Sequence, residues 1–145
     1  MALDPATALV AASGLHLGFQ AVVTVVVYPA LAEARADDWA AAHAAHSRRI
    51  VLLVAPLYLI VAAACLWTLA VGPRTGWTLV ALAGHAVAAA VTATSAAPSH
   101  GRLGRDGRTD RELTRLLTAD RWRLAATVVA FGAALAAWDA PPPVR

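Results

Sequence analysis

The chain has 145 residues, 59% hydrophobic and only 14% charged, with a formal net charge of +3 and one cysteine. A soluble domain carries about 25% charged residues, and a disordered chain pairs low hydrophobicity with high charge. Both classes are excluded, and a single cysteine excludes an internal disulfide framework. The mean hydropathy of +0.60 and the long unbroken apolar blocks point instead to a membrane protein.

Four uncharged blocks count the helices. Residues 5–32 span 28 positions, 50–73 span 24, 75–101 span 27 and 124–138 span 15. A membrane-crossing helix needs roughly 17–25 apolar residues. The first three blocks meet this directly. The fourth meets it if Arg121 and Arg123 snorkel to the interface and the span begins near Trp122. The fold expected is all-α and integral to the membrane. It is a four-transmembrane-helix up-down bundle, one domain over residues 1–145, with helices at about 5–34, 38–71, 76–97 and 110–138 and short cytoplasmic helical extensions.

Boundary residues agree with this division. Asp4-Pro5 reads as an N-cap followed by proline at the first helical position. Asp37 or Asp38 can cap the second helix. Gly72-Pro73 ends it, and Pro98 ends the third. Pro29 and Pro56 are expected to kink helices 1 and 2. Thr109 through Glu112 forms a capping box for the fourth helix. The early turns of that helix carry Leu113, Leu116 and Leu117 on one face. They can pack with the start of helix 2 into a small cap, or lie on lipid head groups. No convincing internal repeat is visible.

Arginine sets the orientation. There is no lysine, and ten of 12 arginines lie in segments 33–49 and 102–123. The positive-inside rule puts those segments in the cytoplasm and both termini outside. The start of the chain lacks the basic region of a cleavable signal peptide. A bacterial-type inner membrane is therefore expected, with the lipid bilayer as the first partner. Alanine-rich faces suit close packing and a possible homo-oligomer. Segment 101–123 carries no aromatic residue before Trp122, so no nucleic-acid binding is expected.

Polar residues inside a membrane are costly and each needs a reason. The first helix carries His16, Gln20, Thr24 and Tyr28 at steps of four, along one face. The third carries His85, Thr92, Ser95 and Ser99. These stripes form either a polar path between the two helices or ordinary interhelical hydrogen bonds. His16 and His85 lie at similar depth and could ligate haem axially. No attachment motif accompanies them, so haem is not expected. Cys65 reads as a packing residue.

The charged end carries more chemistry. His43 and His46 share a helix face, and His100 follows Pro98. The topology brings them together with Tyr28 and Asp120. Three imidazoles suit a transition metal, Cu, Fe or Zn, with an open position. Asp120 or Glu33 could complete or orient that set. In this reading His43, His46 and His100 hold the metal, and Tyr28 and Asp120 move protons. His16, Gln20, Arg49 and Arg123 bind substrate. Arginines near the site, Arg48, Arg49, Arg102 and Arg123, could instead hold an anionic group. The plainer reading is solvated interface histidines without a ligand. No GxSxG, P-loop, GxGxxG or HExxH motif is present.

The strings "HLGFQAVVTVVVYPAL", "WAAAHAAHSRRI", "APLY", "TATSAAPSHGRL" and "LTADRWRL" together resemble the anthrone oxygenase-like family. These are small bacterial four-helix membrane proteins of largely unknown function. The resemblance rests on Gln20, Tyr28-Pro29, His43, His46, Pro56, Pro98, His100, Leu103 and Arg123. Asp120 stands where asparagine would be expected. The resemblance implies four helices and oxygenation of aromatic polyketides without an obvious organic cofactor. The expected function is a membrane-bound, metal-dependent oxidoreductase or oxygenase. It would act on a lipophilic or aromatic small molecule at the cytoplasmic face. The alternatives are a non-enzymatic module that binds or transports a small ligand, and an accessory membrane subunit.

Overall fold

The computed structural model describes residues 4–72 and 74–139. Pro73, which entered the expectations above, lies outside the described residues. Four helical rods account for nearly all of the described chain: α1 (Pro5–Ala32), α2 (Trp39–Val71), α3 (Gly76–Arg105) and α4 (Asp110–Trp138). No strand occurs among the described residues. Three of the rods, α1, α2 and α3, are long and apolar enough to cross a membrane. Successive rods alternate in direction. Near the end of α2, Thr68 donates its hydroxyl to the carbonyl of Pro5, at the start of α1.

The expected caps hold in part. The Asp4 carboxylate accepts from the N–H groups of Ala6 and Thr7 at 2.9 and 3.0 Å, so α1 starts where the sequence placed it. Neither Asp37 nor Asp38 caps α2. A 3₁₀ turn over Ala36–Asp38 leads into that helix, with no side-chain cap. Thr109 caps α4 through the Glu112 N–H. The Glu112 side chain does not complete the box; it pairs with Arg102 at 2.9 Å and Arg115 at 2.6 Å. The Arg102 guanidinium beside it holds the Glu112 carboxyl below its ordinary range. This pair fastens the end of α3 to the start of α4.

Pro98 does not end α3, which runs on to Arg105. The reason lies just upstream. Residues Thr92–Ala96 form one π-helical turn, closed by the Ala97 N–H on the Thr92 carbonyl. Helix α1 repeats the arrangement at Val23–Val27, closed by Tyr28 on Val23, with Pro29 next. A proline offers no N–H and crowds the carbonyl four residues back. The widened turn absorbs that defect and lets the helix continue. The two devices are 69 positions apart, as are His16 and His85. Helices α1 and α3 therefore share a layout that composition hid. Pro56 lies inside α2 without interrupting it.

Packing is uneven. Helices α3 and α4 meet closely through small residues: Ala81, Ala88, Ala130, Ala133 and Ala134 are all buried. A Cβ on Gly84 would lie 2.9 Å from both the Ala126 carbonyl oxygen and the Ala130 methyl. Helix α2 leans mainly on α1 and meets α3 near the charged end and at the Tyr58–Thr92 hydrogen bond, leaving a seam between α2 and the apolar length of α3. Its outer stripe of Leu52, Leu59 and Leu66 is largely exposed, as a lipid-facing surface would be. The charged end is closed by a cluster drawn from all four rods, including Tyr28, Leu31, Trp39, Leu103 and Leu116. The expected leucine face of α4 takes part: Leu113 and Leu116 are buried, and Leu117 packs alongside.

Gly84→Val should force α3 and α4 apart and lower stability by roughly 1–3 kcal/mol, the usual overpacking range. Gly76→Ala, where a Cβ meets nothing within 4 Å, should leave it unchanged. Thermal unfolding of both variants in mild detergent measures the difference.

Candidate functional site

At the charged end, side chains from all four helices join one hydrogen-bonded chain. It starts with Gln20 of α1, whose Nε2 donates to Asp120 Oδ1 at 2.6 Å. Arg123, one turn further along α4, donates to the same oxygen at 2.9 Å. The same Arg123 nitrogen lies 3.4 Å from the Tyr28 hydroxyl, and its guanidinium stands over the Tyr28 ring. The Tyr28 hydroxyl is 3.1 Å from His100 Nε2. His100 Nδ1 is 3.2 Å from His43 Nε2.

Donor and acceptor counting gives this chain a direction. Arginine only donates, so the Tyr28 oxygen accepts from Arg123 and its hydroxyl hydrogen is free to go to His100 Nε2. A neutral imidazole that accepts at one nitrogen donates at the other. His100 then donates from Nδ1 to His43 Nε2. Every contact is satisfied in that arrangement. A proton taken up at Tyr28 or His100 has a path of ring nitrogens to His43.

Local sequence explains the placement. Tyr28 closes the π turn of α1, just before Pro29. His100 follows the matching turn in α3. The His43 ring stacks on the indole of Trp39 at 5.4 Å, four residues earlier on the same face. Gly104, one turn after His100, makes room for it: a Cβ there would lie 3.3 Å from His43 Cε1. The Trp39 Nε1 donates to the Leu103 carbonyl and locks α2 onto α3. Trp39 and Gly104 were not singled out from sequence. Their i, i+4 spacing from His43 and His100 was the available signal.

Two cavities meet at this chain. One, of about 260 Å³, lies among α1, α2 and α3 and is lined by Phe19, Val23, Ile50 and Val54 with Tyr28, His100 and Arg123. The Arg123 Nε is buried and has no partner. The other, of about 830 Å³, opens beyond the end of the bundle and is lined by Trp39, His43, Arg105 and Asp106. His100 and Ser47 line both. His100 thus stands between a cavity that is almost entirely apolar and one whose lining is more polar.

The sequence-derived site is reassembled in part. Tyr28, His43, His46 and His100 converge, and Gln20, Asp120 and Arg123 join them. Arg49 is exposed and lines a groove on the outer side of α1 and α2, away from the chain. His16 does not line the apolar cavity. Its Nδ1 meets His85 Nδ1 at 3.1 Å, and His85 Nε2 meets the Ser13 hydroxyl at 2.8 Å. The two rings are nearly parallel, with centroids 5.3 Å apart, so no macrocycle fits between them. The polar stripes do not make a continuous path between α1 and α3: Gln20 turns to α4, and the Thr24 and Thr92 hydroxyls donate to carbonyls of their own helices.

The imidazoles answer the metal expectation incompletely. A separation of 3.2 Å between His43 Nε2 and His100 Nδ1 is slightly short of the roughly 3.3–3.4 Å that two nitrogens about 2.0–2.1 Å from one tetrahedral ion would show. His46 stacks its ring face on His100 at 5.4 Å and 21°, and its Nε2 is buried without a partner. Asp120 is engaged by Gln20 and Arg123, and Glu33 is exposed. Among the described residues no three His, Cys, Asp or Glu side chains gather to hold an ion.

Comparison with known proteins adds no relative. No family model, no curated protein and no solved structure matches the chain. The resemblance noted above rests on the short motifs alone.

Asp120 and Arg123 are both buried, so removing one leaves the other charge unpaired. Asp120→Leu should cost about 3–5 kcal/mol. The double variant Asp120→Leu/Arg123→Met should recover most of that loss, because it buries no charge. Denaturation of the three proteins in one detergent tests the coupling.

Proposed function

We propose that the protein is a membrane-bound oxidoreductase that oxygenates a lipophilic aromatic molecule at the charged end of the bundle. The observation that carries this reading is the position of His100. It joins an apolar cavity, floored by Tyr28 and Arg123, to a water-facing one through His43. The resemblance to the anthrone oxygenase-like family supplies the reaction class.

The arrangement suits a phenol. Its ring fits the apolar cavity, and its hydroxyl meets the polar floor. Tyr28 and His100 take the phenolic proton and pass it toward His43. Arg123, whose side chain lines the cavity, stabilises the phenolate oxygen. Charge stabilisation by a fixed donor in a site without water is a large catalytic term. A ring carbon of the electron-rich phenolate then bonds to dioxygen, and the resulting hydroperoxide loses water. Phenol and dioxygen give quinone and water, with dioxygen as the oxidant.

All four rods cross the membrane in this reading. Helix α4 packs along α3 past its middle, through Ala130 and Ala133, so it spans where α3 spans. Its 15 uncharged residues, extended by Trp122 and a snorkelling Arg121, suffice, with Arg123 turned inward and neutralised by Asp120 rather than reaching the interface. The arginine distribution supports a site on the cytoplasmic side of a bacterial-type inner membrane, with both termini outside.

The protein in lipid nanodiscs should consume dioxygen and form quinone from a naphthol or alkylphenol. His100→Phe should slow this by about 10²–10⁴-fold, the range for a lost acid–base group. Dioxygen uptake and quinone absorbance read it. Equal rates in the variant, or no uptake with any phenol, would reject the reaction.

A metal-dependent form of the same reading draws on the 3.2 Å His43–His100 separation and the unpartnered His46 Nε2, and it requires His46 to turn from its stack on His100. His43, His46 and His100 would hold Cu, Fe or Zn, which would supply a Lewis-acid or redox centre when bound. Elemental analysis of protein purified without chelator should then give near one ion per chain, lost in His43→Ala/His46→Ala. No metal in either protein leaves the histidines as a proton path.

A further inference from the structure

The apolar cavity does not end at the site. A second one, of about 510 Å³, lies in the seam between α2 and α3, toward the apolar end of the bundle. Its lining continues that of the first along both helices. On α2 the stripe passes from Ser47, Ile50 and Val54 to Tyr58, Val61 and Cys65, in steps of three or four. On α3 it passes from His100, Ala96 and Thr92 back to Ala89, Ala86 and Leu82. Both stripes are single helix faces.

The second cavity offers nothing for a polar head. His85 lines it, but both ring nitrogens are occupied, by Ser13 and by His16. The Tyr58 hydroxyl is occupied by Thr92 Oγ1 at 2.6 Å. That one bond divides the cavities, since Tyr58 lines the outer and Thr92 the inner. Thr92 begins the π turn of α3, where the helix is already wide. The alanines at 83, 86 and 89 carve the groove by the side chains they lack. From Tyr58 to Leu69 it runs about 16 Å at 1.5 Å per residue.

We infer that the substrate carries a linear apolar tail, and that the tail lies in this seam while the aromatic head occupies the inner cavity. The substrate class is then a phenol bearing one long alkyl or isoprenoid chain. The inference rests on the proposed reaction for its head group. The continuous lining, with polar groups open only at the inner end, identifies the rest. A tail gains little from leaving lipid, which is equally apolar. The seam therefore orients the molecule, setting its head against Tyr28, His100 and Arg123.

The test uses the whole protein in phosphatidylcholine nanodiscs with two probes. One is ortho-dodecylphenol with a diazirine at the tail end; the other is phenol without a tail. Irradiation should attach the tailed probe to peptides holding residues 58–69 or 82–89. Ala86→Trp fills the seam from an exposed position, away from the α3–α4 contact. It should cut that labelling at least tenfold and leave oxygenation of tail-free phenol within twofold. Labelling spread over exposed positions outside those peptides, such as Val25, Leu52 and Val129, or unchanged by Ala86→Trp, would overturn the inference. So would equal, Trp-sensitive labelling by a photoactivatable phosphatidylcholine, which would make bulk lipid the occupant. Absence of oxygenation with either phenol, whatever the labelling, would count against the reaction and not the seam.

Discussion

A carboxylate and a guanidinium buried in a largely apolar bundle must satisfy each other, and that requirement shapes the charged end of this protein. Asp120 has two donors on one oxygen, Gln20 from α1 and Arg123 from its own helix. Arg123 then reaches Tyr28. The pair thereby fixes the rotation of α4 against α1, and Tyr28 carries the constraint on to His100 in α3. Replacing such a pair by apolar residues is often neutral for stability, whereas breaking it is not. Its value here is positional: it holds an arginine against an apolar cavity with one donor left free.

The two π turns serve the same end. Without them Pro29 and Pro98 would each stop or bend a helix just before the site. Tyr28 and His100 would then have no rigid support. With them, both helices run past their prolines, and each sets a proton-bearing side chain at the same end. The shared spacing of 69 residues between the histidines His16 and His85, repeated by the prolines and the widened turns, gives α1 and α3 matching roles. Helices α2 and α4 differ more. Helix α4 is packed tightly on both, through alanine and glycine. Helix α2 leans on α1 and leaves its α3 side open. That asymmetry is why a cavity exists on one side of the bundle.

Much of this was legible in the sequence. Uncharged blocks separated by arginine-rich segments mark helix-length apolar runs, so the number of helical rods and their alternation followed from counting. The meeting of Tyr28, His43, His46 and His100 followed as well, because alternating helices bring those four ends to one side. Helix azimuth was less legible. Arg123 faces inward and Arg49 outward, yet both adjoin apolar blocks, and only the packing partner decides between them. Length beyond a proline was illegible for a related reason: a π turn leaves no mark in hydropathy, so Pro98 read as a stop. His16 and His85 were matched in depth, but their contact depends on how closely α1 and α3 approach. Buried small residues set that distance, and alanine richness alone did not reveal it.

His100 draws these strands together. Its ring is reached from the water-facing side through His43 and from the apolar side through Tyr28, and it is the only described imidazole lining both cavities. A residue so placed can pass a proton between lipid-side and water-side molecules without either crossing the wall. That division suits chemistry on a molecule too apolar to leave the bilayer. In the proposed reaction the substrate would stay among the helices while the proton left through nitrogen atoms. The Tyr58–Thr92 bond, one helical turn or two deeper, marks where the polar floor ends and the purely apolar seam begins. In the proposed reaction, chemistry is confined to the end of the bundle where the arginines cluster, and the rest of the α2–α3 seam is left to hold the substrate in line.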